Sequence, residues 1–168
     1  MFAVKIYRES FKIETPARQP WFEDINAQVV EAVRNSGIRD GICLIYSHHT
    51  TCSVILQEYS KDIAYSGLEF MHQDLVDVFE KIIPTMRHEG QYMHPGPWST
   101  QWSYENGEDK PYCINTDGHL RSLFMGRNET LPVIDGVLDT GDYGHLYFVD
   151  FDQTRERSRT IHVQLIGE

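Results

Sequence analysis

Three short runs of residues carry side chains that could do chemistry. The first is His48-His49-Thr50-Thr51, set between two apolar runs, with Glu58 at the end of the second. Imidazoles can exchange a proton near neutral pH or ligate a metal, and strand ends are where side chains of different elements converge. The same residues also read as a polar bend whose hydroxyls satisfy the backbone. The second run is Asn115-Thr116-Asp117-Gly118-His119. Asn115 or Thr116 caps a helix there and Asp117 complements its dipole. His119 is left over, as a hydrogen-bonded core residue or as a functional group pointing inward. The third run is Asp150-Phe151-Asp152-Gln153-Thr154-Arg155-Glu156-Arg157. Strand alternation puts Asp150 and Asp152 on one face, with Arg155 and Arg157 just beyond. This is either an exposed, salt-bridged strand end or a site for an anionic substrate, because arginine forks match phosphate and carboxylate geometry.

Eight histidines in 168 residues is the oddity of the composition. His72 falls on a helical pattern and is expected on its solvent face, while His145 and His162 fall in strand patterns. His88 and His94 lie in an irregular stretch from which either could reach a site. None of these spacings is an H-E-x-x-H zinc motif. The three cysteines, Cys43, Cys52 and Cys113, are odd in number and have no C-x-x-C pair, which supports neither a disulfide framework nor a zinc ribbon. Cys43 and Cys52 sit in apolar runs and read as small buried hydrophobes.

The elements that must position these groups follow from periodicity. Residues 2–15 alternate in the manner of paired strands, through Val4, Ile6, Phe11 and Ile13. Ile25, Val29, Val30 and Val33 give a helix over 24–35, with Asp24 as cap and Gly37 as stop. Residues 41–47 and 52–58 read as strands. A longer helix is predicted through Ile63, Leu68, Met71, Leu75, Val78, Phe79 and Ile82, ending at Pro84. Residues 84–112 have no usable periodicity and hold Pro95, Pro97, Pro111, Trp98 and Trp102, and irregular stretches of that length are often functional. A short helix opens at Asn115 and closes at Gly126. LPVIDGVLDTG is a hairpin turning at Asp135-Gly136, and HLYFVDFD and RTIHVQLI supply two more strands. The expectation is one α+β domain over residues 1–168, with a mostly antiparallel sheet packed by two or three helices.

Composition excludes several classes. Hydrophobic residues make up 40% and charged residues 24%, a globular balance rather than a disordered or fibrous one. No apolar stretch nears the roughly 20 residues of a spanning helix. The first ten residues lack the apolar core of a signal peptide, so a cytoplasmic location is expected. With 25 acidic against 15 basic residues the net charge is -10, and the one basic cluster, Arg155, Arg157 and Arg159, is too local to track a duplex, so nucleic acid is not an expected partner.

In order, these segments resemble the YjbQ-type family of secondary thiamine-phosphate synthases. The resemblance is carried by His49-Thr50-Thr51 with Glu58, then His94, then Asn115 with His119-Leu120 and Gly126. It continues through Leu131-Pro132-Val133, Gly136, Gly141, Asp150-Phe151-Asp152 and Arg155 with Arg157, and covers the chain from about residue 2 onward. It departs at Asp142-Tyr143-Gly144, at Gln153-Thr154 before the first arginine, and in an expanded segment between His94 and Asn115. The resemblance implies a small α+β fold, a homotrimer, and histidines gathered in a polar cleft. It implies a divalent metal, zinc or magnesium, on His49, His94 and His119. The implied catalytic residues are Glu58, His49 and Asp117, and Thr50, Thr51, Asn115, Arg155 and Arg157 would hold a phosphorylated substrate. The implied reaction joins a pyrimidine diphosphate to a thiazole phosphate with release of pyrophosphate. The open alternatives are metal-assisted hydrolysis of a phosphorylated small molecule and non-catalytic metal or ligand binding in a trimer.

Overall fold

The structure, a computed structural model, describes residues 4–109 and 113–168, so Phe2 and Pro111 of the patterns above lie outside the described residues. The fold is α+β, with two antiparallel sheets and helices packed around them. The larger sheet has five strands in the order β1-β8-β3-β5-β6 and the smaller has three in the order β2-β7-β4. Strand ranges are β1 Lys5–Thr15, β2 Trp21–Asp24, β3 Gly41–Tyr46, β4 Cys52–Glu58, β5 Asn128–Ile134, β6 Val137–Leu138, β7 Gly144–Asp150 and β8 Arg157–Gly167. The helices are α1 Asn26–Ser36, α2 Phe70–Ile82, α3 Pro97–Glu105 and α4 Thr116–Met125. None of them is long and apolar enough to cross a membrane.

The main core lies between the sheets. It joins Ile13 of β1, Ile45 of β3 and Val163 of β8 to Val54 of β4 and Phe148 of β7, with Val29 and Val33 of α1 closing one side. The small sheet is buried on its other face as well, where Ile55, Tyr147 and Val149 meet Phe79 of α2 and Phe151. A strand covered on both faces has no polar side to present, which is why CSVIL and LYFVD read as continuous apolar runs. β8 buries only one face and alternates accordingly.

Several local signals act as their chemistry requires. Asp24 Oδ1 accepts the Asn26 backbone N–H at 2.8 Å, so the helix starts two residues after Asp24. Gly37 ends it in the left-handed conformation, φ 64°. Asp135 and Gly136 both have positive φ, 52° and 81°, as the tight hairpin turn between β5 and β6 demands.

Other expectations are corrected. The first alternation forms one unbroken strand, β1, which pairs along its whole length with β8. The long helix starts at Phe70, not near Ile63. Ile63 instead bridges to Glu69, and the Phe70 N–H bonds the Asp62 carbonyl, so the preceding chain folds back on itself. His72 is buried on the sheet side of α2, not solvated, and stacks on Phe22 with ring centroids 4.1 Å apart. The stretch 84–112 contains α3, which opens with Pro97 in its first turn and buries none of its side chains. Periodicity cannot reveal a helix that packs no apolar stripe against a core.

α4 is fixed tightly. The Ser122 hydroxyl donates to the Cys52 carbonyl at 2.6 Å. Gly118 lies against the end of β7, where a Cβ would come within 3.1 Å of the Phe151 carbonyl oxygen. That close approach sets His119 beside the β3–β4 bend.

Candidate functional site

Four segments meet at one end of the sheets: the β3–β4 bend, the β7–β8 connection, the start of α4, and α3 with its flanks. They enclose a cavity of about 490 Å³, a size suited to a small-molecule ligand.

The floor is ionic. Arg159 on β8 and Asp150 at the end of β7 are both buried and form a two-pronged pair, Nε to Oδ2 at 2.6 Å and Nη2 to Oδ1 at 3.1 Å. Thr51 bridges them, accepting from Arg159 Nη2 at 3.0 Å and donating to Asp150 Oδ1 at 3.3 Å. Thr15 donates to the other oxygen at 2.9 Å. Burial works against the Arg159 charge, and Asp150 outweighs it, holding the guanidinium above its ordinary pKa.

Beside this pair, Asp152 Oδ2 accepts from Arg157 Nε at 3.2 Å and Nη2 at 2.8 Å, and from Asn115 Nδ2 at 3.3 Å. Its Oδ1 takes the Thr154 amide at 3.0 Å and the Thr154 hydroxyl at 2.5 Å. Burial pushes the Asp152 carboxyl up, but the Thr154 bonds and Arg157 prevail, and its pKa falls below the usual carboxylate value. Arg157 and Arg159 on the cavity wall are thus matched by Asp152 and Asp150, and an anionic ligand would share Arg157 with Asp152.

The histidines are in different states. His49 Nε2 accepts the Thr160 backbone N–H at 3.0 Å, which places the proton of the neutral ring on Nδ1. Burial, then the Arg159 charge and His48, lower the His49 pKa to about 4. His119 Nδ1 lies 3.3 Å from the Thr50 carbonyl, an acceptor only, so Nδ1 carries the proton and Nε2 holds the lone pair. Its pKa is also lowered, by burial first and by His94 next. The His94 and His119 rings meet edge to face with centroids 5.7 Å apart. The Thr116 hydroxyl donates to the His94 carbonyl at 2.6 Å and holds that loop to α4.

Among the residues expected from sequence, His49, Thr50, Thr51, His94, Asn115, His119 and Arg157 line the cavity. His88 does not; it is exposed and its Nδ1 meets the Glu89 carbonyl. Glu58 is a correction. It is exposed at the far end of β4 from the bend, six residue steps along the strand from Cys52, roughly 20 Å. Asp117 is a second correction. It is buried behind the wall 3.9 Å from Arg121, with a pKa raised chiefly by burial. Arg155 pairs with Glu108 and does not line the cavity. His48 of the first run, Arg159 of the basic cluster and Trp98 and Trp102 of the irregular stretch line it as well, although none of the four carries a site role in the sequence reading. The every-second-residue spacing of Arg155, Arg157 and Arg159 was a usable signal for Arg159, and the four-residue step between Trp98 and Trp102 was one for the indoles.

A three-imidazole metal centre does not fit these side chains as they stand. His49 Nε2 is committed to Thr160, and among the described residues no group of three or more His, Cys, Asp or Glu side chains converges as metal ligands would.

The state of His49 has a measurable consequence. Its pKa is lowered from 6.5 to about 4 on folding, so its share of the stability is complete above pH 6.5 and drains away as pH falls towards 4. The ring is only partly buried, and after discounting for solvent screening the loss is about 1–2 kcal/mol. Urea unfolding at pH 7 and pH 4 should show that extra loss in the wild type, and its absence in His49→Gln, which keeps an acceptor near the Thr160 amide. Equal pH dependence in both proteins would refute the assignment.

Comparison with known proteins places this fold and site in context. The chain is 27% identical, with a TM-score of 0.76, to the crystal structure of a "YbjQ-like protein of unknown function" from Sulfolobus solfataricus P2, covering 99% of this chain and 100% of that one. It is 26% identical to a "UPF0047 protein" of Methanothermobacter thermautotrophicus, over 98% of this chain and 95% of the relative. It is 24% identical to the "UPF0047 protein YugU" of Bacillus subtilis, over 95% of this chain and 98% of the relative. A sequence profile described as "UPF0047 protein YjbQ-like" matches residues 9–168. With most of its length matched, including every wall of the cavity, the chain belongs to the YjbQ-like UPF0047 family.

Proposed function

We propose that the cavity binds a small phosphorylated molecule and carries out a group transfer on it, with His119 as the proton-transferring group. One observation carries the reading. A neutral imidazole, anchored through Nδ1 to the Thr50 carbonyl, lines the same cavity as Arg157, so a base and an anion-holding group face one bound molecule. Where a hydroxyl or a water attacks, His119 Nε2 would take its proton, and Arg157 would orient the phosphate, its guanidinium held by Asp152, which Asn115 in turn steadies. In its most specific form, carried out by a homotrimer, the reaction joins a pyrimidine diphosphate to a thiazole phosphate. The thiazole nitrogen forms the new C–N bond with its lone pair, and the C–O bond to pyrophosphate breaks. This form draws on Arg157 for the departing charge rather than on proton removal by His119.

The test is direct. Untagged protein is incubated with the two substrates together and singly, and with simple phosphate monoesters, while pyrophosphate and phosphate are followed. Pyrophosphate release that needs both substrates would support the transferase. Release of phosphate from the monoesters alone would move the assignment to a hydrolase. Tight retention with no turnover would make the chain a binding protein, and light scattering tests the trimer.

A second reading, a divalent metal on His49, His94 and His119, is favoured by the adjacency of the last two rings. It requires His49 to give up its bond to the Thr160 amide. Elemental analysis of untagged wild type beside His119→Ala decides it. Near-stoichiometric zinc or another divalent metal, lost in the variant, would establish the metal reading. Trace metal in both would leave proton transfer by His119 to stand alone.

A further inference from the structure

One wall of the cavity is α3, and its composition does not match the ionic floor. Trp98, Ser99, Trp102 and Ser103 line the cavity, and positions i, i+1, i+4 and i+5 of a helix share one face. α3 buries none of its side chains, and the indoles are open to solvent, Trp98 at 77% and Trp102 at 53%. Each indole exposes a large apolar face, and burying it would be worth far more than leaving it in water. The structure leaves both turned onto a space already walled by His119 and Arg157. The helix is tied down at its flanks, where Glu108 pairs with Arg155 and lies 3.9 Å from Arg157, and where the His94 carbonyl accepts from Thr116. A helix held at both flanks, with none of its side chains buried, is placed to let the cavity's occupant do the packing.

We propose that Trp98 and Trp102 form a stacking platform, and that the ligand of this cavity carries a planar aromatic or heteroaromatic ring which lies on one or both indoles while its polar or anionic end faces Arg157 and Asn115. The inference rests on the ligand-binding reading of the same cavity and adds to it the residues that would select a ring-bearing ligand. The indoles supply the selection, because an indole face rewards any flat π system and gives nothing to an open-chain or saturated sugar phosphate.

The experiment uses the intact protein and four probes, with binding read by calorimetry and by indole fluorescence. The probes are uridine 5′-monophosphate, thiamine monophosphate, ribose 5-phosphate and uridine. A ring-bearing phosphate is expected to bind at least roughly tenfold tighter than ribose 5-phosphate, the advantage typical of one stacked ring, and to quench emission. In the Trp98→Ala/Trp102→Ala double variant that advantage should vanish while ribose 5-phosphate binds as before, and Trp98→Phe/Trp102→Phe should restore much of it. Trp21, the third tryptophan, does not line the cavity and serves as the internal emission control. Equal wild-type affinity for ring-bearing and ring-free phosphates would overturn the platform, as would an advantage that survives in the double variant. If uridine binds through the indoles and phosphate adds nothing, the platform stands and the phosphorylated-substrate reading falls. If none of the four binds, both fall.

Discussion

Methionine in place of Arg159 is expected to lower the unfolding free energy by about 3–5 kcal/mol, the range found when one member of a buried ion pair is removed. The cost comes from what is left behind. Asp150 is 1% exposed and Arg159 7%, and without the guanidinium the carboxylate keeps only neutral donors: the hydroxyls of Thr15 and Thr51 and the Asp152 amide. Adding Asp150→Asn should recover much of the loss, because the amide oxygen still accepts from Thr51 and the Asp152 amide, its Nδ2 can donate to the Thr15 hydroxyl, and the side chain carries no charge. Urea unfolding of wild type, Arg159→Met and the double variant measures both effects. A loss below about 1 kcal/mol in the single variant would mean that the pair behaves like a solvated surface pair. The variant should also lose ligand binding. Thr51, which precedes β4 in the cavity wall, is held by Arg159 Nη2 and accepts no other bond of that strength from the floor.

His119→Asn is expected to reduce kcat/KM by about 10²–10⁴-fold for a reaction in which a hydroxyl or a water attacks, the usual contribution of a positioned general base, with little change in stability. The side chain is only partly buried and asparagine can still donate towards the Thr50 carbonyl. The pH profile gives a second readout with a defined sign. Burial and the neighbouring His94 lower the His119 pKa below 6.5, so the basic form dominates at neutral pH. Turnover should therefore be flat above pH 6.5 and fall only on further acidification, as the imidazole takes up a proton. A variant within tenfold of wild type, or a profile that keeps its acid limb in the variant, would remove His119 from the chemistry.

Much of this site is readable from sequence where the signal is local. His48-His49-Thr50-Thr51 stands out because a polar quartet between two fully apolar strands needs a reason. Asn115 to Gly126 is recognisable because both ends of the helix carry their own punctuation. What fails is whatever depends on which end of an element faces which neighbour. Glu58 and His49 flank the same strand, and its length alone sets them about 20 Å apart, so their pairing in one site comes from the family pattern and not from the strand. Asp117 and His119 are two residues apart in one helix, about 200° around its axis, and one turns into the core while the other turns to the cavity. His72 was misplaced for a related reason. A histidine among apolar neighbours reads as polar and solvated until an aromatic partner, here Phe22 from a strand some fifty residues earlier, covers its ring. α3 leaves no periodic trace because it buries none of its side chains. Its two tryptophans, the most informative residues of the irregular stretch, register in sequence only through their four-residue step.

The strand order has a kinetic side. β8 sits between β1 and β3, with Lys5 facing Gly167 and Thr15 facing Arg157. The most extensive pairing in the molecule thus joins the two most distant stretches of chain, and loops of that length close late. Folding should accordingly run on the slow, millisecond-to-second side expected of non-local topologies. Arg157 and Arg159 ride on β8, and the Thr160 amide that fixes His49 does too. A partly folded chain can hold its histidines near one another well before it has a floor under them. Ligand-binding competence should then appear in step with the final closure of the large sheet and not before it.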